Sequence, residues 1–90
     1  MYKRVPPVFI EGAKVKDVEP GEYGYIDPKD IWVDRDRRAY MDPDALIHER
    51  ENAVKFYRYT LHYQIYLDEP VSFRQRDKIP SNFIPVEISG

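Results

Sequence analysis

Cysteine is absent from this chain, which removes disulfide staples, thiolate metal ligands and thiol nucleophiles from consideration. Small secreted domains often depend on such staples, so the absence favours a reducing compartment. Long apolar runs are also missing: nothing approaches the roughly 20 residues that a membrane-spanning helix needs. The start, Met1-Tyr2-Lys3-Arg4-Val5-Pro6-Pro7, has no hydrophobic stretch of signal-peptide length behind its basic residues. The expected location is the cytoplasm. Glycine is sparse and scattered (Gly12, Gly21, Gly24 and Gly90), so no glycine-rich phosphate loop exists. An excess of basic charge is lacking too. Residues 1–45 carry eight basic and ten acidic groups and residues 46–90 six of each, whereas dedicated nucleic-acid binders usually show a basic total or a basic half.

The chain is rich in tyrosine. It has eight tyrosines, four phenylalanines and one tryptophan among 90 residues, enough aromatic material to fold as one modest domain rather than stay disordered. Residues 1–7, with consecutive prolines, are expected to form an extended arm, and residues 8–90 a single globular domain. Val8–Ile10 reads as a short strand, and Ala13–Val18 alternates weakly with Ala13 and Val15 inward. Glu19-Pro20-Gly21-Glu22 and Asp27-Pro28-Lys29-Asp30 read as turns on either side of a strand at Tyr23–Ile26. Ile31–Val33 and Ala39–Met41 flank the charged tip Asp34-Arg35-Asp36-Arg37-Arg38, a hairpin with a wide loop or bulge.

Asp42-Pro43-Asp44 has the form of a helix start, with a capping aspartate and proline at the first turn, and predicts one short α-helix over about residues 43–51. From Lys55 to Leu67 the odd positions are Lys55, Tyr57, Tyr59, Leu61, Tyr63, Ile65 and Leu67. This period of two predicts one long strand with its odd-numbered tyrosines in the core and Arg58 and His62 on the opposite face. A helix continuing from Asp42, with Val54, Tyr57, Leu61 and Ile65 as its stripe, is the rival reading. Val71–Arg76 and Phe83–Ile88 complete the set as strands, and Pro70 and Pro85 suggest edge positions. If Asp68-Glu69 is a hairpin tip, Tyr63 faces Arg74, Leu61 faces Arg76 and Tyr59 faces Lys78. The predicted fold class is therefore α+β: a small, mostly antiparallel β-sheet or partly open barrel of five to seven short strands with one helix.

Catalytic and metal chemistry finds little footing. His48 and His62 are the only imidazoles, at a spacing that matches no metal motif. The acidic tip at Asp34 lacks the glycine and the distal acid of a calcium loop, where Ala39 and Ala45 stand instead. Ser72, Ser81 and Ser89 lie in no nucleophile elbow. The expectation is no enzyme, no metal and no cofactor. The leading reading is a non-enzymatic protein–protein interaction module, such as an accessory inhibitor, an adaptor or a structural assembly subunit. Phage or mobile-element origin is the expected context, and self-association is an open option. Its candidate partner-binding residues are Tyr2, Arg4 and Val8 of the arm and Val71, Phe73, Arg74 and Arg76 of an edge strand, residue types and edges that partners use. The alternative is a single-stranded nucleic-acid-binding module using Arg58, Tyr59, Tyr63, Arg74 and Arg76 as an aromatic and basic sheet face. Against that stands the reading in which tyrosines form the core and arginine stems cover its rim.

Deleting residues 1–7 is expected to leave the fold intact, by circular dichroism, and to weaken association with a protein partner. Unchanged association would remove the arm from the binding surface.

Overall fold

Short runs of β-branched and aromatic residues, cut by proline and aspartate turns, give six strands among the described residues. The computed structural model describes residues 11–49, 53–67 and 78–89. The strands are β1 (Tyr23–Ile26), β2 (Ile31–Val33), β3 (Ala39–Met41), β4 (Val54–Arg58), β5 (Tyr63–Tyr66) and β6 (Ile84–Ser89). They form one curled mixed sheet, a half-barrel in the order β1-β4-β5-β6-β3-β2. All neighbours run antiparallel except β5 and β6, which are parallel. Among the described residues the helical geometry is confined to two single 3-10 turns, Val15–Asp17 and Pro28–Asp30. The chain is thus β-rich rather than α+β. The arm of residues 1–7 and the expected strands Val8–Ile10 and Val71–Arg76 lie outside the described residues.

The expected helix is not present at residues 43–49. Asp42-Pro43-Asp44-Ala45 is instead a tight turn: the Ala45 N–H donates to the Asp42 carbonyl at 3.1 Å and the Asp44 N–H to Asp42 Oδ1 at 2.9 Å. A capping aspartate followed by proline serves a β-turn as well as a helix start. A helix here would have had two apolar anchors, too few to offset its nucleation cost. Extended, the segment alternates, with Ala45 buried, Leu46 half exposed and Ile47 packed on the core. Its backbone is paired on both sides. Val15 N–H donates to Ala45 O (2.9 Å), Ile47 N–H to Ala13 O (3.0 Å) and His48 N–H to Tyr25 O (2.7 Å). The alternating strand expected at Ala13–Val18 is reduced to one bridge, Lys14 with Leu46, before the 3-10 turn. Lys16 pairs with Asp44 at 2.7 Å across this junction.

The segment Lys55–Leu67 is a hairpin, not one long strand. Tyr59 N–H donates to His62 O at 2.8 Å, closing a two-residue turn at Thr60-Leu61. Facing residues are Arg58 with Tyr63, Tyr57 with Gln64, Phe56 with Ile65 and Lys55 with Tyr66. Each pair joins an even to an odd number, so the inward face is even on β4 (Val54, Phe56) and odd on β5 (Tyr63, Ile65), all buried. The expected core tyrosines Tyr57 and Tyr59 therefore face outward. β5 is also flanked on both edges, by β4 and β6. The expected pairing of Tyr63 with Arg74 involves residues outside the described ones.

β6 is likewise interior, not the edge that Pro85 suggested. Its first half pairs with β3 (Ile84 with Met41, Pro85 with Tyr40, Val86 with Ala39), and its second half pairs with β5 (Glu87 with Gln64, Ile88 with Ile65, Ser89 with Tyr66). The missing N–H of Pro85 falls where the β5 ladder has not yet begun, so no sheet bond is lost. Such a handover turns a sheet through a corner. Inside the curl sit Val15, Val18, Ile26, Ile31, Met41, Phe56 and Ile65, all at most 1 % exposed.

Two glycine-dependent details complete the frame. Glu19–Glu22 is the expected turn, its Glu22 N–H donating to Glu19 O (3.1 Å) with Gly21 at φ 89°. Gly24 faces Phe56 across β1 and β4, and a Cβ there would lie 2.6 Å from the Phe56 ring. The β2–β3 hairpin forms as expected, with Asp34 N–H donating to Arg38 O (2.9 Å) and Asp34 Oδ1 accepting from the N–H groups of Asp36 and Arg38. Arg37 sits at φ 61°, the left-handed position that glycine usually fills in a three-residue loop with a bulge.

Gly24→Ala is expected to destabilise the fold by about 1–3 kcal/mol through overpacking on Phe56. Arg37→Gly, at an exposed left-handed position, is expected to stabilise it by up to about 1 kcal/mol. Urea denaturation of both variants measures these opposite signs.

Candidate functional site

The reversed parity on β4 and β5 places an unusual set of side chains on the outer face. Reading across the strands gives two rows, Tyr23–Tyr57–Gln64–Glu87 and Tyr25–Lys55–Tyr66–Ser89. Among the described tyrosines only Tyr63 belongs to the core, at 8 % exposure; Tyr23, Tyr25, Tyr40, Tyr57 and Tyr66 are half-buried and Tyr59 is exposed. The rings pack on one another at steep angles. Tyr23 and Tyr57 have centroids 4.7 Å apart at 55°, and Tyr57 and Tyr59 4.7 Å apart at 78°. Edge-to-face packing of this kind satisfies the ring quadrupoles. Further along the curl Trp32 and Tyr40, a cross-strand pair, meet at 5.8 Å.

Polar groups tie the rings together. Tyr59 Oη donates to Gln64 Oε1 at 2.6 Å, and Tyr66 Oη lies 3.4 Å from the same oxygen. Lys55 Nζ sits 4.5 Å from the centroid of Tyr23 and 5.8 Å from that of Tyr66, a cation held over π-faces. The Tyr66 hydroxyl is pushed up to about 12, by burial first and then by the neighbouring Tyr23 hydroxyl. Burial also raises Tyr63 above the ordinary phenol range.

Where this face meets the β4–β5 turn, a compact apex stands out. His62 stacks on Tyr59 with centroids 4.5 Å apart and planes 21° off parallel, and its Nε2 lies 3.8 Å from Glu87 Oε1 on β6. Leu61, at the tip, is 94 % exposed. Neither Thr60 nor Leu61 adopts a positive φ, so the turn does without the Asn-Gly chemistry by which hairpins are usually spotted.

Of the residues expected to bind nucleic acid, the described ones are divided between the two faces: Arg58 and Tyr63 inward, Tyr59 outward. Arg58 points along the inner face, its guanidinium donating to the carbonyls of Lys16 (3.2 Å) and Val18 and lying 5.6 Å from the buried Tyr63 ring. Tyr63 is in the core, with its hydroxyl 3.4 Å from Val15 O. Tyr59 alone of the described members reaches the outer surface; Arg74 and Arg76 lie outside the described residues, as do the expected partner-binding residues Tyr2, Arg4, Val8, Val71 and Phe73. His48 and His62 are both exposed and on different elements. Among the described residues no group of histidines and acids could hold a metal ion, and no helix is long and apolar enough to cross a membrane. Sequence reasoning set Gln64 and Tyr66 on the face away from the core, but missed Lys55 and Leu61 as surface groups. Only the position of the turn would have revealed them. Compared with protein-family models, curated proteins and solved structures, the chain finds no match.

The raised hydroxyls fix an alkaline dependence. Below the unfolded tyrosine range near 10 both states hold these protons; above it the unfolded chain ionises first, so stability is lost as pH rises from about 10 toward 12. Urea midpoints are expected to hold steady up to pH 9 and fall through that window, with a smaller fall in Tyr66→Phe. An identical slope in wild type and Tyr66→Phe would contradict this.

Proposed function

We propose that this chain is a non-enzymatic protein-binding module, acting as an accessory inhibitor, an adaptor or an assembly subunit. The observation that carries this reading is the outward placement of the tyrosines, with Tyr63 the one described tyrosine in the core. Rigid amphipathic rings give large contact area at low entropic cost, and tyrosine is among the residues that dominate interface energetics. The rings are tilted edge to face and bonded at their hydroxyls, which suits a pre-organised protein contact surface. Residence in the cytoplasm and a phage or mobile-element source belong to the same proposal.

Single-strand binding is the less favoured reading, because stacking needs open ring faces flanked by cations. One face of Tyr59 is covered by His62, and Lys55 and Arg58 are engaged within the fold.

The test compares wild type with Tyr57→Ser/Tyr59→Ser, both checked for native circular dichroism. A stoichiometric protein partner recovered from the source cell should bind wild type and bind the double variant at least about 10-fold more weakly. Titration with a single-stranded oligonucleotide at low salt should be flat. Salt-dependent oligonucleotide binding that the double variant loses would replace this reading with the nucleic-acid one.

A further inference from the structure

We propose that the β4–β5 apex is an insertion knob, and that its partner is a folded protein presenting an apolar pocket rimmed by lysine or arginine. This rests on the protein-binding reading above and names the surface and the partner's chemistry. Three observations support it together.

Leu61 is 94 % exposed, while the residues around it are bonded to one another. Tyr59 N–H bonds His62 O, Tyr59 Oη bonds Gln64 Oε1, and the His62 ring stacks on Tyr59. A mobile loop would gain little by exposing leucine. A rigid one keeps the apolar group in a single presentation, which lowers the entropy lost on docking.

The surroundings of the knob are acidic. On one side the turn Glu19–Glu22 is bonded to the end of β4: Gly21 N–H donates to Arg58 O at 2.7 Å and Arg58 N–H to Glu22 O at 3.0 Å. On the other side Glu87 flanks His62 at 3.8 Å. Glu19 and Glu87 are exposed. Among the described residues, the Arg58 guanidinium is turned inward to the carbonyls of Lys16 and Val18, and Lys16 is paired with Asp44. Among the described residues His62 is the one basic side chain at the apex itself, and Glu87 faces it.

An apolar knob inside an acidic rim disfavours anionic membranes and nucleic-acid phosphates, which repel carboxylates, and favours a basic-rimmed protein pocket. A second copy of this chain is less suited, since it would bring the same acidic rim to the contact.

The experiment places photo-leucine at position 61 of the full chain and irradiates it with the source-cell proteins, with anionic phosphatidylserine vesicles and with a single-stranded oligonucleotide in separate arms. The expected product is a cross-link to an apolar protein segment bordered by Lys or Arg. Leu61→Asp, with native near-ultraviolet circular dichroism, should weaken the isolated complex by about 30-fold or more, and Leu61→Met should retain it. Glu19→Lys/Glu87→Lys should slow association at low salt by about 10-fold and lose that effect at high salt. Cross-linking to lipid, to oligonucleotide or to another copy of this chain overturns the proposal. A protein partner indifferent to Leu61→Asp overturns the knob but leaves protein binding through another surface. Failure to find any protein partner removes both readings.

Discussion

One turn decides how this molecule is laid out. The bond from Tyr59 N–H to His62 O closes a two-residue connection at Thr60-Leu61, and everything paired to β4 and β5 inherits its register. Phe56 faces Ile65 and Gly24 faces Phe56, so a continuous inner layer runs from β1 through β6 at Ile88. The same register commits the alternate residues, tyrosines in the main, to the outside. Moving the turn by one residue would exchange the two faces of one strand against the other. It would bury Lys55 or expose Phe56, and neither is tolerable in a core this small.

The second organising device is β6, which joins two ribbons that would otherwise be separate. β2 and β3 hold to its first half, β5 and through it β4 and β1 to its second. Its Ile84, Val86 and Ile88 pack on the core cluster, while Pro85 and Glu87 are exposed. A strand with one proline was legible as an edge, but the two halves of β6 have different neighbours. The proline falls where one neighbour is absent.

Much of the frame was legible in the residues. The Pro-Gly turn at Gly21, the Asp27–Asp30 turn, the β2–β3 hairpin with its wide tip and the strand at Tyr23–Ile26 all carry local turn chemistry or alternation. Two features were not legible. Asp42-Pro43-Asp44 signals the start of a helix and of a turn equally, and only the pairing of Ala45–His48 with Ala13–Val15 and Tyr25 decides between them. The turn at Thr60-Leu61 contains no glycine, asparagine or aspartate, so the apolar odd positions from Tyr57 to Leu67 looked like one strand. Tyr63 is in the core as expected, but the outward Tyr57 and Tyr59 and the exposed apex were missed together, because both depend on that one turn.

The functional reading follows from the same register, since it is what leaves tyrosines and Leu61 in contact with solvent. The most direct test is nuclear Overhauser spectroscopy of the intact chain. The account predicts Hα–Hα contacts between Phe56 and Ile65 and between Arg58 and Tyr63, the facing pairs of the hairpin, with the Tyr59 ring accessible to a dissolved paramagnetic probe and Tyr63 shielded. An unbroken extended segment from Val54 to Leu67 without those contacts, and with Tyr57 and Tyr59 as shielded as Tyr63, would contradict it.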